Sequence, residues 1–322
     1  MKLDLKDKKL LYWLDQNSRA TNKALAKKVG LSEQAIGYKL KRLEEEGIIK
    51  KYVTFVNTIA LGYMHYKVLL RLRNANVKKE QEIIAVLARN ENIRWIVSCS
   101  GRWDINFSIL ARDSEEFTDI YRDIEKKIGD YISEKNVSIL IRSPGLPRGY
   151  LLEQPATGTR PYERQKAVIE IDEIDAKILK SLSQNSRKNI VDIAEEIKST
   201  IDVVRYRLRK LEEGKVISGY TIQIGFDKLG IARYSVFFSL HKMSDEVEKK
   251  MFVFAQRHNT IVFVLTMIGT YDLSLECEVS SYHELESLIK SFREDFAGNI
   301  SNFEIILNTK EFKYDFYPFK EN

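Results

Sequence analysis

The chain has 322 residues, 44% of them hydrophobic, and its 52 basic and 46 acidic side chains give a net charge of +6. This length allows two or more domains, and the modest basic excess is compatible with an anionic partner such as nucleic acid. The sequence shows no signal-peptide pattern and no apolar run of membrane-spanning length, so we expect no membrane association. Two cysteines without a CxxC spacing favour a reducing, cytoplasmic location.

The sequence is an internal repeat. A shift of 168 residues aligns it with itself without a gap over most of its length. QNSR at 16–19 falls on the same tetrapeptide at 184–187, and GRWD at 101–104 falls on GTYD at 269–272. A period this long indicates duplication of a whole folding unit, because solenoid repeats are only about 20–50 residues long.

Within each copy the hydrophobic period changes from helical to strand-like. In the first copy the pattern predicts three helices and a strand, at Lys6–Gln16, Asn22–Val29, Glu33–Glu46 and Ile48–Val56. It then predicts strand, helix, strand, strand, helix and strand at 65–72, 78–89, 93–100, 105–111, 114–128 and 132–142. This βαββαβ order is ferredoxin-like, and it recurs from Arg233 to Lys313. The predicted fold class is therefore α+β, a tandem repeat of a winged helix-turn-helix and a ferredoxin-like domain.

Proline and glycine separate the two copies. Four of the five prolines fall within 143–166, a composition that predicts a linker. The predicted parts of the chain are winged helix-turn-helix 1 (1–56), ferredoxin-like domain 1 (62–142), the linker (143–166), winged helix-turn-helix 2 (168–224) and ferredoxin-like domain 2 (230–315).

The helix after Gly30 carries the first functional signal. Two short helices joined by Gly30–Leu31 are typical of a helix-turn-helix, whose second helix enters the major groove. Its predicted outer face is basic, and Lys and Arg neutralise phosphates while Arg and Gln read base edges. A solvated helix face is the alternative for a single helix, but the repeated three-helix context favours DNA. The predicted DNA-binding residues are Gln34, Gly37, Tyr38, Lys39, Lys41 and Arg42 in copy 1, and Arg205, Tyr206, Arg209 and Lys210 in copy 2.

The two copies differ in charge. Residues 1–52 hold 13 basic and 7 acidic side chains, whereas residues 169–220 hold 10 of each. The second copy also has Lys198–Ser199 in place of the glycine turn at Gly30–Leu31. We therefore expect the first module to bind DNA more strongly.

These motifs together resemble a known family. LAKKVGLS, KLKRLEEEGIIKKY, a Leu-Gly junction and a βαββαβ unit with a Gly-x-x-Asp turn are similar to the Lrp/AsnC (feast/famine) transcriptional regulators. The resemblance covers nearly all of both copies outside the linker. It implies a sequence-specific DNA-binding regulator whose ferredoxin-like domains pair with one another and bind an amino acid or similar small effector where they meet. Members usually carry one unit per chain, so the tandem implies an intramolecular pseudo-dimer, alone or within a higher homo-oligomer.

The Gly-x-x-Asp turn is the candidate effector site. Its glycine lets the backbone approach a ligand, its aspartate can accept from an α-ammonium group, and turn N–H groups can hold a carboxylate. The alternative is that glycine and aspartate only shape a hairpin. The candidate effector-binding residues are Ser98, Ser100, Gly101, Arg102 and Asp104 in copy 1, and Gly269, Thr270, Tyr271 and Asp272 in copy 2.

Two other functions remain open at this point. Siroheme decarboxylases share this architecture, but IRWIVSCSGRWDINF lacks the His and Tyr of their signature. An effector-sensing architectural protein with a degenerate second DNA-binding module is the other. The four histidines have no metal-ligand spacing, and no P-loop, GxGxxG or nucleophile elbow occurs. We therefore expect a protein that is not an enzyme, without a metal or cofactor.

Overall fold

The computed structural model describes residues 3–155, 158–163, 167–315 and 317. Each copy folds into a three-helix module with a strand, followed by a ferredoxin-like βαββαβ domain. The predicted fold class is therefore confirmed. Part of the predicted linker, at 156–157 and 164–166, lies outside the described residues.

Winged module 1 is a compact three-helix unit. It contains α1 (Leu5–Gln16), α2 (Asn22–Val29), α3 (Glu33–Glu45) and β1 (Ile49–Val56). Side-chain oxygens of Asp4, Thr21 and Ser32 cap the helix starts by accepting a backbone N–H from the first turn. The apolar stripe of α3, whose members include Ile36 and Leu43, is buried against the other two helices.

Ferredoxin-like domain 1 is a four-stranded antiparallel sheet with two helices on one face. Its elements are β2 (Met64–Leu72), α4 (Val77–Ala88), β3 (Ile93–Ser100), β4 (Ile105–Ala111), α5 (Ser114–Ile128) and β5 (Ile132–Arg142). The strands lie in the order β5-β2-β4-β3. Alternate residues of each strand, such as Val68 and Phe107, pack beneath the helices, and the residues between them face the opposite side of the sheet.

The second copy repeats this arrangement. Winged module 2 contains α6 (Glu173–Gln184), α7 (Ile190–Glu196), α8 (Ile201–Glu213) and β6 (Ile217–Ile224). Ferredoxin-like domain 2 contains α9 (Phe226–Leu229), β7 (Ala232–Leu240), α10 (Asp245–Arg257), β8 (Ile261–Ile268), β9 (Leu273–Val279), α11 (Tyr282–Phe296) and β10 (Ile300–Tyr314).

The backbone of module 2 follows module 1 even where the sequence does not favour it. Gly30 and Gly47 have φ values of 73° and 70°, in the left-handed region that suits glycine. The residues at the same repeat positions are Lys198 and Lys215, which adopt φ values of 55° and 59°. A side chain in this region costs about 1–2 kcal/mol, so module 2 carries strain that module 1 avoids.

The two sheets join edge to edge into one closed barrel. β5 pairs antiparallel with β8 and β3 pairs antiparallel with β10, giving the order β10-β3-β4-β2-β5-β8-β9-β7. Closure leaves none of these strands with an unpaired edge. One chain thus completes by itself the sheet pairing that the family resemblance assigns to two.

The strands that follow α3 and α8 also pair with each other. β1 and β6 form a two-stranded antiparallel sheet between the modules. Val56 at the end of β1 is buried in the core of module 2, and Ile222 of β6 is buried in the core of module 1. The modules therefore share their cores and are held together as a pair.

The segment predicted as a linker is packed between the domains. Leu146 is buried in the core of ferredoxin-like domain 2, and Leu151 in the core of module 1. Two arginines of this segment, Arg148 and Arg160, are also buried. The described part of this segment therefore follows a fixed path, because its apolar and arginine side chains anchor the backbone to both domains.

Candidate nucleic-acid interface and ligand-binding regions

Reciprocal contacts join the two winged modules in a pseudo-twofold arrangement, and each module carries one of the helices predicted to enter the major groove, α3 and α8, called recognition helices below. The Ser18 N–H donates to the Tyr220 carbonyl at 3.2 Å, and the Ser186 N–H donates to the Tyr52 carbonyl at 3.1 Å. The guanidinium of Arg187 lies over the ring of Tyr52, with its carbon 5.3 Å from the ring centre. The equivalent guanidinium in copy 1 lies over the Tyr220 ring at the same distance.

Both recognition helices present a tyrosine and basic side chains to solvent. Tyr38 on α3 is 71% exposed and Tyr206, at the same repeat position on α8, is 65% exposed. Tyrosine is enriched at interfaces because its ring is apolar and its hydroxyl is polar, and it can contact phosphate oxygens. Five other predicted residues are also exposed: Gln34, Lys41, Arg205, Arg209 and Lys210. Gly37, on the same face, is partly exposed.

Lys39 and Arg42, both predicted to bind DNA, pair with carboxylates at the start of α1. The Lys39 Nζ lies 2.9 Å from an oxygen of Asp4 and 2.8 Å from Asp7, and an Arg42 guanidinium nitrogen lies 2.6 Å from the same Asp7 oxygen. Asp7 is almost fully buried, so its carboxylate requires cationic partners. Both basic side chains therefore tie α3 to the start of α1. In copy 2, Arg207 makes the equivalent contact with Asp172 at 2.6 Å.

The aspartates of the two Gly-x-x-Asp turns have backbone partners. The Asp104 carboxylate accepts the Leu72 N–H at 2.7 Å, and the Asp272 carboxylate accepts the Leu240 N–H at 2.7 Å. These bonds fix each turn to the neighbouring strand of its own sheet. They support the hairpin alternative, and an ammonium group at either aspartate would share the carboxylate with the backbone.

The two turns also meet the opposite half of the barrel. A Cβ on Gly101 would lie 3.3 Å from the Ile305 carbonyl, and one on Gly269 would lie 2.7 Å from the Ser138 hydroxyl. The remaining candidate side chains make further contacts. Ser98 donates to Glu80, Arg102 pairs with Glu304 at 2.6 Å, Tyr271 donates to Glu304, the Thr270 carbonyl accepts from Ser239, and Ser100 is exposed. The close contacts explain both glycines, and effector binding at the turns remains a prediction.

A cavity of about 150 Å³ lies inside the barrel, near the end where β2 and β7 begin. Its wall includes Phe55 of β1, Lys67 of β2 and Glu276 of β9. The Gly-x-x-Asp turns are at the other end, where the Asp104 N–H donates to the Leu70 carbonyl. No sequence motif marks this cavity. Its signal is a set of charged residues, such as Lys67, at alternate positions of strands that are otherwise apolar.

A buried ionic cluster connects module 1, the linker segment and β9. Arg148 donates to Asp15 at 2.6 Å and to Glu278 at 2.8 Å and 3.1 Å. Asp15 is 0% exposed and also accepts from Thr221 at 2.7 Å. Burial raises the pKa of Asp15, but the charges of Arg160 and Arg148 outweigh it and hold that pKa below its usual value. The cluster therefore stays charged at neutral pH and fixes module 1 to the barrel.

Two other kinds of feature are absent from the described residues. In the described part of the chain, none of the helices combines the length and apolar character needed to span a bilayer. Among the same residues, no three His, Cys, Asp or Glu side chains are placed to hold a metal ion.

Sequence comparisons agree with the repeat. Residues 3–50 and 171–218 both match the family described as winged helix-turn-helix DNA-binding. The HTH-type transcriptional regulator LrpA of Pyrococcus horikoshii is 35% identical over 129 residues, which cover 39% of this chain and 86% of that protein. The HTH-type transcriptional regulator FL11 of Pyrococcus furiosus is 32% identical over 126 residues, covering 38% of this chain and 82% of its own length.

Among solved structures, the siroheme decarboxylase NirDL superposes with a TM-score of 0.63 at 14% sequence identity. The superposition covers 97% of this chain and 93% of the other. At this identity the similarity concerns the fold alone.

The fold and the repeated module define a class of protein in which winged helix-turn-helix modules are joined to paired ferredoxin-like domains. The chain belongs to the Lrp/AsnC family, with two family units fused in one polypeptide.

Proposed function

We propose that this protein is a sequence-specific DNA-binding transcriptional regulator that contacts DNA as a single-chain pseudo-dimer. The observation that carries the proposal is the matched exposure of Tyr38 and Tyr206 on two basic helices related by the pseudo-twofold axis. An exposed helix of this kind can enter the major groove, and two of them in fixed relation can contact two half-sites.

The proposed DNA face is narrower than the sequence predicted. It comprises Gln34, Gly37, Tyr38 and Lys41 in copy 1, and Arg205, Tyr206, Arg209 and Lys210 in copy 2. We leave Lys39 and Arg42 out of this proposed face because their ion pairs with Asp7 hold α3 against α1. Lys39 and Arg42 are both on α3, and both are engaged in ion pairs within module 1. The DNA affinity of each module therefore depends on the side chains that remain exposed on its own recognition helix.

We further propose that a small effector binding to the ferredoxin-like barrel modulates DNA binding. The barrel cavity is lined by Phe55 of β1 and by Gln223 and Ile224 of β6, the strands that join the two winged modules. A ligand there would contact the connection between the DNA-binding modules directly. This contact supports coupling between ligand binding and the placement of α3 and α8.

Gel-shift titrations of genomic fragments at increasing salt test the DNA proposal. Each neutralised phosphate contributes about 0.9 to the slope of log affinity against log salt, so Lys41→Gln and Arg209→Gln should each lower that slope by about 0.9. Tyr38→Ala and Tyr206→Ala should weaken specific binding. Tyr282→Ala is the matched control, since Tyr282 is 56% exposed on α11, away from both recognition helices. If all fragments bound with equal affinity and that affinity did not change with salt concentration, the proposal of sequence-specific DNA binding would be refuted.

A siroheme decarboxylase is the second candidate, and the fold similarity to NirDL over 97% of the chain motivates it. The sequence argues against it, because IRWIVSCSGRWDINF lacks the His and Tyr of the decarboxylase signature. Incubation with siroheme under reducing conditions, followed by chromatography, decides between the two. A decarboxylated product would make the protein an enzyme, and unchanged siroheme supports the regulator.

A further inference from the structure

Another cavity, of about 310 Å³, lies where winged module 2 meets ferredoxin-like domain 1. Its wall is formed by α6, β1, the end of α4, the start of β3 and the end of β10. None of its described lining residues also lines the barrel cavity. Sites for small molecules have volumes of about 300–1,000 Å³, so this cavity is large enough for such a ligand. We call it the module 2 cleft and define it by five cations and one serine: Lys51, Arg89, Arg94, Lys180, Lys313 and Ser183.

The module 2 cleft has an excess of positive charge. Among the described lining residues, the five cations are accompanied by two carboxylates, Glu91 and Asp315, which leaves an excess of three positive charges. The Asp315 carboxylate accepts the Tyr317 N–H at 3.0 Å, and it lies 3.9 Å from an Arg94 guanidinium nitrogen, beyond hydrogen-bond distance. This carboxylate therefore offsets the positive charge of the cleft only in part.

Burial strengthens the repulsion among these cations. Arg94 is 7% exposed, and burial lowers its pKa. Burial, followed by the charge of Arg94, also lowers the pKa of Lys313. A positive charge that is removed from water and placed beside another is disfavoured, whereas an opposite charge nearby favours it. An anion bound in the cleft would therefore stabilise the folded protein.

Several donors of the cleft are available to an anion. Within the described part of the chain, the side chains of Lys51 and Arg89 make neither an ion pair nor a hydrogen bond. The Lys313 Nζ donates to the Ala88 and Asn90 carbonyls at 3.0 Å each, which leaves one of its three N–H donors. These three side chains come from β1, α4 and β10, so their donors reach the cleft from different sides.

The equivalent contact in the other half of the molecule is already balanced in charge. There, Arg148 and Arg160 of the linker segment meet the carboxylates of Asp15 and Glu278. Asp15 lies on α1, and the residue at its repeat position on α6 is Ser183, which carries no charge. Module 2 therefore meets the barrel without the carboxylate that anchors module 1.

The linker segment also fills the space that corresponds to the cleft. The Leu146 N–H donates to the Val262 carbonyl at 2.7 Å, and Val262 occupies the repeat position of Arg94. A Cβ on Gly149 would lie 3.0 Å from the Cβ of Asn259, whose repeat position also lines the cleft. One of the two related spaces thus holds the linker, and the other is a basic cavity.

We propose that the module 2 cleft binds one phosphate-bearing anion per chain, which supplies to module 2 the negative charge that Asp15 supplies to module 1. A guanidinium can hold two phosphate oxygens at once and an ammonium adds a further donor, so Arg89, Arg94 and Lys51 suit a phosphate group. The anion joins α6 to β3 and β10, and so fixes module 2 to the barrel. None of the described lining residues belongs to α3 or α8, which favours a free phosphate compound over the phosphates of bound DNA.

Isothermal titration of the full chain with inorganic phosphate and pyrophosphate, at constant ionic strength, tests this proposal. We expect saturable binding of one pyrophosphate per chain, and weaker binding of phosphate because it carries less charge. Succinate is the control anion, since a carbon chain holds its two carboxylates apart. It should bind about tenfold or more weakly than pyrophosphate, because it places fewer charged hydrogen bonds in one spot. Pyrophosphate should also raise the unfolding temperature, since it binds the folded protein.

A matched pair of double variants locates the site. Lys51→Gln with Arg89→Gln removes two cations that hold no ion pair among the described residues, so the protein should fold as the wild type does. Its affinity for pyrophosphate should fall by about tenfold or more, because charged hydrogen bonds are lost. Arg257→Gln with Lys290→Gln removes the same charge and should bind pyrophosphate as the wild type does. Arg257 is at the repeat position of Arg89, and both control residues are exposed and lie outside the cleft.

Salt-dependent gel shifts separate a free ligand from DNA phosphates. For a free ligand, Lys51→Gln with Arg89→Gln leaves the slope of log DNA affinity against log salt unchanged. A slope lowered by about 1.8, or about 0.9 for each lost phosphate contact, would assign these cations to DNA and overturn the proposal. Absence of pyrophosphate binding, tighter binding of succinate, or an equal loss of binding in the control variant would overturn it as well. The titrations contain no DNA, so they test the cleft independently of the proposed DNA-binding function.

Discussion

The hydroxyl oxygens of Ser18 and Ser186, which occupy the same position in the two copies, lie 2.6 Å apart in the buried contact between the winged modules. Two equivalent atoms can be this close only on the symmetry axis that relates the copies. Arg187 donates to the Ser18 carbonyl at 2.7 Å, and Arg19 donates to the Ser186 carbonyl. The repeated QNSR segment is therefore the point where the chain contacts its own second copy.

This hydroxyl pair predicts a non-additive effect on stability. Ser18→Ala should destabilise the protein by about 1–3 kcal/mol, because the Ser186 hydroxyl stays buried without a partner. Ser186→Ala should cost a similar amount, and the double variant should cost less than the sum, since neither hydroxyl remains. Urea unfolding of the four proteins measures the cycle. Additive costs would show that the two hydroxyls are not coupled.

Most of the fold was predictable from the sequence because each element carries its own periodic signal. The predicted α2 and β3, at Asn22–Val29 and 93–100, agree with the structure, and the 168-residue repeat predicted the second copy from the first. Local signals are enough for such elements, since the apolar period and the capping residues lie within a few positions of each other.

What the sequence did not reveal depends on contacts between distant segments. The pairing of Lys39 with Asp7 needs the packing of α3 on α1, and the burial of Arg148 needs module 1 and β9 together. The cavity requires strands from both halves to close into one barrel. The periodicity of a single helix or strand does not predict these ion pairs or the cavity, because the residues that meet there come from segments far apart in the chain.

The left-handed positions of the two modules predict opposite effects of matched substitutions. Lys215→Gly should stabilise the protein by about 0.5–1 kcal/mol, because relief of left-handed strain exceeds the added chain entropy of glycine. Gly47→Ala, at the equivalent position, should destabilise it by about 1 kcal/mol, and an added Cβ there would meet no atom within 4 Å, so the cost is conformational. Thermal unfolding measures both changes. If the two substitutions shifted stability in the same direction, the strain interpretation would be wrong.

The buried ionic cluster predicts a large loss on removal of its central cation. Arg148→Met should cost about 3–5 kcal/mol, since it leaves Glu278 buried without its cationic partner and Asp15 with Arg160 alone, 3.7 Å away. Arg142→Met is the control. Arg142 pairs with Glu248 at 3.0 Å but is 46% exposed, and such surface pairs contribute about 0–1 kcal/mol. Denaturant unfolding at neutral pH compares them, and a similar small cost for both would mean that the cluster does not stabilise the fold.

His65 predicts a loss of stability on mild acidification. Burial lowers its pKa from 6.5 to about 3 in the folded protein, and its Nδ1 lies 3.1 Å from the Tyr162 hydroxyl. Between these two values the unfolded chain binds a proton that the folded chain does not, so stability falls as pH falls, by about 1.4 kcal/mol per unit. His65→Gln should lose about 2 kcal/mol less than the wild type between pH 7 and pH 5. Parallel stability curves for the two proteins would contradict this account.

The central claim is that one chain reads DNA with two unlike recognition helices, and binding-site selection tests it most directly. Full-length protein is used to select from random-sequence DNA, and the mass of the complex gives the number of chains per site. We predict one chain per selected site and two different half-sites, with centres about 34–36 Å apart, one helical turn, or a multiple of this. Perfect palindromes occupied by two chains would contradict the claim, because they would show that identical modules from separate chains are paired on the DNA.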